Sequence, residues 1–93
     1  MKELLNEDEK RTIQERIINP MIPDMNKVAL FGTIERAQIM LESSLRKILV
    51  DNDYEAKIGF KSHSENKINL ILEAKKRDCA QVISYSILMT YKK

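Results

Sequence analysis

The chain has 93 residues, 43% of them hydrophobic and 32% charged, with only two Gly and two Pro, a folded composition rather than a disordered or low-complexity one. That length fits one compact domain, residues 1–93, with little interior to spare for a deep substrate cavity. Net charge is only +2, and the longest apolar runs, such as Val28-Ala29-Leu30-Phe31, fall far short of the roughly 20 residues that span a bilayer.

The charge is unevenly spread. Residues 1–56 carry eight Lys/Arg against eleven Asp/Glu, a net of −3, whereas residues 57–93 carry eight against three, a net of +5. A basic second half favours an anionic partner. The N-terminal stretch Met1-Lys2-Glu3-Leu4-Leu5-Asn6-Glu7-Asp8-Glu9 turns acidic at once and lacks the apolar run of a secretory signal. Cys79 stands alone, so no intrachain disulfide is expected and a reducing compartment, the cytoplasm, fits best.

Asn6 announces the first helix, with Glu9 three residues on to complete a capping box. Glu7, Asp8 and Glu9 fall in its first turn, where carboxylates complement the helix dipole. Ile13 and Ile17, with Met21 beyond, form a thin stripe that predicts a helix lying on a surface rather than at the centre. Pro20 and Pro23 bracket Asn19 to Asp24, which reads as a connector between helices.

The second helix is expected from about Asn26 to Leu49. Phe31, Ile34, Leu41, Leu45 and Ile48 recur at spacings of three, seven, four and three and should line the core. Gly32 within it serves close packing or marks a break with Thr33 as a new N-cap. Arg36, Ser43 and Lys47 mark the wet side, with Ile39 and Met40 on opposite flanks of the core stripe.

After Asp51-Asn52-Asp53 the period changes to two. Tyr54, Ala56, Ile58 and Phe60 alternate with polar residues and Gly59, and Ile68, Leu70, Leu72 and Ala74 define a second strand. Ser62-His63-Ser64-Glu65-Asn66 joins them as a hairpin. For residues 79–91, Asp78 and Gln81 suggest a helix cap, but Ile83, Tyr85, Ile87, Met89 and Tyr91 line one face only at period two, so the segment reads as a strand. The expected fold is α+β: two N-terminal helices in the helical part, 1–50, then a three-stranded antiparallel meander in the β part, 54–93, with helix two packed on one sheet face.

Each fragment that resembles a chemical site lacks a necessary member. Ser62, His63 and Ser64 offer a nucleophile and a base but no orienting third group. One His and one Cys cannot close a zinc site without carboxylates. Asp51, Asp53, Glu55 and Ile58 follow the start of a calcium loop, yet Ala56 stands where the turn needs Gly and Ser62 where a closing Glu is needed. No catalytic or metal residue and no cofactor is therefore expected.

Two surfaces remain. Lys57, Phe60 and Lys61, with Lys67, Lys75, Lys76, Arg77, Lys92 and Lys93, combine an aromatic with positive charge, the elements of a nucleic-acid contact. Ile39, Met40, Ile18, Ile71 and Leu88 exceed what a two-layer domain buries, and Ile39 and Met40 with Arg36, Ser43 and Lys47 make a candidate protein interface. The leading expectation is a non-catalytic regulator or inhibitor that binds another protein and also itself, through helix two or a sheet edge. Nucleic-acid binding stands second, and small-ligand sequestration between subunits third.

Overall fold

The computed structural model describes residues 4–50 and 53–91, with side chains described for all of these except 30–32 and 91. The calcium-like Asp51 and the basic Lys92 and Lys93 lie outside the described residues, as do the side chains of Phe31 and Tyr91.

Asn6 caps the first helix as its sequence requires. Its Oδ1 accepts from the Glu9 amide at 2.8 Å, and Glu9 Oε1 accepts from the Asn6 amide at 2.9 Å. From there helix α1 (Glu7–Ile13), a π-helical turn (Gln14–Ile18) and helix α2 (Asn19–Val28) follow without a break. The connector expected at Asn19–Asp24 is thus helical, and the reason lies just upstream. In the π turn the Asn19 amide donates to the Gln14 carbonyl, five residues back, and Gln14 Nε2 donates to Asn19 Oδ1 at 2.7 Å. Pro20 follows directly on that turn, so its missing amide falls where the π turn has already interrupted the four-residue hydrogen-bond ladder. Both prolines are exposed, so water can replace the bonds they cannot donate.

The extra residue in that turn also sets back the phase of the helix. Ile17 and the adjacent Ile18 are both buried, and the stripe continues through Met21, Met25 and Val28. Ile13, Met21 and Met25 are 0% exposed. This helix is at the centre of the core, not on a surface as its thin stripe predicted, and Ile18 is core rather than surplus.

The true interruption is at Gly32. Strand β1 (Leu30–Gly32) falls in the first third of the expected second helix, and Thr33 caps a shorter helix α3 (Ile34–Ile48), its Oγ1 accepting from the Arg36 amide at 3.2 Å. Ala37, Leu41 and Leu45 form its buried row. Ser44 Oγ donates to Asp24 Oδ2 at 2.8 Å, tying α3 to α2.

Strands β2 (Tyr54–Ser64), β3 (Lys67–Lys76) and β4 (Ile83–Tyr91) form the expected antiparallel meander. The hairpin loop is shorter than expected: Glu65 and Asn66 alone make the turn, and a register shift between Ser62 and Ser64 leaves His63 at a bulge. β1 pairs in parallel with β4, so the sheet order is β1-β4-β3-β2. In the β3–β4 connection Asp78 takes a left-handed backbone, φ 67°, which Asp tolerates better than most residues.

One face of the sheet carries Ile68, Leu70, Leu72, Ala74 and Met89, all buried. The helices share this face: α1 and the π turn contact β3, α2 contacts β4, and α3 contacts β2. Helix α3 therefore covers less of the sheet than expected, because the first helix takes the middle. Among the described residues Glu9 is the buried charged one, 6% exposed. It accepts from Lys76 Nζ at 2.6 Å, which joins the first helix turn to the end of β3.

Candidate functional site

The outer face of α3 is a coherent surface. Arg36, Ile39, Met40, Ser43 and Lys47 are all exposed, and on a helix they fall within an arc of about 100° opposite the buried row. Ile39 is 70% and Met40 45% exposed. Ala37, Leu41 and Leu45 supply the buried row of α3, and these two side chains lie outside it. Arg36 and Lys47 flank them with positive charge, which suits an apolar knob framed by acidic groups on a partner.

The basic residues divide between the two faces of the sheet, with Lys57, Lys61, Lys67 and Lys75 on the open face and Lys76, like Phe60, on the helix-covered one. Phe60 lies on the helix-covered side of the sheet, level with Leu70, whereas Lys57 and Lys61 alternate onto the open side. Lys57 pairs in register with Glu73. Lys75 Nζ lies 3.9 Å from Glu55 and donates to the Cys79 carbonyl at 3.2 Å, and Arg77 Nε lies 3.8 Å from Glu55. Lys76 is held by Glu9, and its pKa is raised above the ordinary lysine value, first by that hydrogen bond and then by the carboxylate charge. Lys61 and Lys67 are exposed near the hairpin tip. Ile71, half-buried, and Leu88, 43% exposed, stand on the open face with them.

Ser62, His63 and Ser64 are exposed at the end of β2. Asp53 precedes an extended strand that runs through Ala56 and Ser62, so this stretch does not wrap around a cation. Among the described residues no group of three or more His, Cys, Asp or Glu could hold a metal ion. No described helix is long and apolar enough to cross a membrane.

β2 is the outermost strand and pairs on one side with β3. Beside it runs an open groove of about 370 Å³ whose walls include Leu45 and Leu49 of the α3 end and Ala56 and Ile58 of β2, with Glu42 and Arg46 on its rim. The signal for an edge strand was present in Lys57 and Lys61, because lysines are frequent on unpaired edges. The groove itself has no sequence signal, since it depends on where α3 lies.

The chain matches no family model, no curated protein and no solved structure.

Proposed function

We infer that this is a small non-catalytic interaction protein, an accessory regulator or inhibitor, that binds another protein through the outer face of α3 and also self-associates. The observation that carries this reading is the pair Ile39 and Met40, exposed on a helix whose core row is complete without them. Apolar side chains in solvent favour a partner that removes them from water, at roughly 25 cal/mol per Å² buried.

The test is affinity capture on the immobilised full chain, repeated at rising salt and after nuclease treatment, with the double variant Ile39→Asp/Met40→Asp beside it. A stoichiometric protein retained at high salt, and lost with the double variant while circular dichroism is unchanged, supports the reading. Recovery of nuclease-sensitive material alone, falling steeply with salt and lost on neutralising Lys61 and Lys67, would transfer the assignment to the nucleic-acid alternative.

A further inference from the structure

We propose that the free edge of β2 is a homodimerisation site, at which two copies join their sheets antiparallel about a twofold axis through Ile58. This rests on the reading of the chain as a self-associating protein and adds to it the surface and the register.

The β2 strand runs unbroken from Tyr54 to Ser62 before its bulge, contains no proline, and lies at the end of the sheet. Such an edge offers backbone donors and acceptors to another strand. Its lysines would ordinarily discourage that. Their placement does so for most registers and not for this one.

A twofold axis perpendicular to the sheet keeps the two helix-covered faces on the same side, so only residues of like parity can pair. Centred on Lys57 or Lys61, the strand sets a lysine against its own copy. Centred on Gly59, it sets Lys57 against Lys61 twice. Centred on Phe60, it sets Lys61 against Gly59 and runs Lys57 onto the bulge at His63, so no unlike charges meet within the strand. Like charges directly opposite one another are destabilising.

Centred on Ile58, Glu55, which is 47% exposed and only loosely paired in its own chain with Lys75 at 3.9 Å and Arg77 at 3.8 Å, faces Lys61 of the second copy on both sides of the axis, and Lys57 faces Gly59, which has no side chain to oppose it. Gly59 has open space where a Cβ would lie, and a strand glycine often marks the approach of another backbone. On the opposite face Ile58 meets Ile58 and Ala56 meets Phe60. All three residues are half-buried in the single chain, so pairing completes their burial. The register centred on Ala56 also pairs Glu55 with Lys57, but joins a much shorter stretch. The groove beside β2 carries Glu42 and Arg46 one helical turn apart on its rim, opposite charges that are self-complementary under the same axis.

The test uses the full chain in size-exclusion chromatography with light scattering over a concentration series. Wild type is expected to be a dimer. Lys61→Glu sets a carboxylate against Glu55 of the second copy, and Glu55→Lys sets an ammonium group against Lys61. Each variant alone should therefore dissociate with a Kd raised about tenfold or more, with circular dichroism unchanged. In a mixed dimer of the two single variants both contacts oppose unlike charges, so an equimolar mixture should form a heterodimer of near wild-type affinity and is one informative rescue. The double variant Glu55→Lys/Lys61→Glu is a second, because it reverses both members of each pair and restores unlike charges on both sides of the axis. It should recover the wild-type dimer affinity. A wild-type chain that stays monomeric, a Lys61→Glu chain that dimerises normally, or a double variant no tighter than the single ones overturns the proposal. The Ile39→Asp/Met40→Asp variant should dimerise as wild type, so failure here and failure of partner capture at α3 are separate results.

Discussion

Strands β2 and β3 carry the same alternation of apolar and polar residues yet meet different surroundings. Leu72 and Leu70 on β3 are 0% exposed, whereas Ile58 and Phe60, their direct partners across the ladder, are only half-buried. β3 has a neighbour on each side and the first helix above it, while β2 has one neighbour and the end of α3. Burial is thus a property of sheet position more than of pattern, and the half-covered strand is where further contact is to be sought.

The largest expected effect breaks this contrast at its centre. Leu72→Ala should cost roughly 2–5 kcal/mol, as truncation in a closed core does. Ile58→Ala should cost about half as much in the dilute monomer, because part of its surface is already in water. Equal losses in urea unfolding would show that β2 is as enclosed as β3.

A smaller effect of opposite sign is expected at Gly59. An added Cβ meets nothing within 4 Å, and glycine in a strand interior is less stable than alanine by about 0.5–1 kcal/mol. Gly59→Ala should therefore raise the denaturation midpoint slightly. A fall would show that the open face of β2 is more crowded than that of an edge strand.

The smallest expected effect concerns charge. Lys76 on β3 is clamped to Glu9, and its pKa is raised by that contact. The folded state holds the proton more tightly than the unfolded state. The resulting stability is fully present below the unfolded value of about 10.4 and is lost as pH rises through the higher folded value. Thermal melts at alkaline pH should show this decline, and Lys76→Met should flatten it. Lys61→Met on the exposed end of β2 should leave the alkaline profile as it is.

Much of the α+β outline was legible. The capping box at Asn6 and Glu9, the change to period two after Asp53, and the strand character of residues 83–91 follow from local rules, and each is present in the fold. The exposure of Ile39 and Met40 was legible for a similar reason: on a helix whose core row is known, the opposite arc is known too. The prolines misled because their cost depends on the turn before them, and a π turn at Gln14–Ile18 has no pattern that period-based reading detects. The same turn hid the burial of Ile18 by shifting the helical phase.

The residues of this chain by themselves determine where helices and strands can start, which side of each is apolar, and which fragments of a catalytic or metal site are incomplete. These are effects of nearest neighbours and of side-chain periodicity. Tertiary structure alone decided that the first helix lies over β3, that Leu30–Gly32 joins β4 as a parallel strand, that Lys76 meets Glu9, and that β2 is left at the edge. Each of these joins groups far apart along the chain, and such contacts are selected by how the whole apolar surface closes, not by any local run of residues.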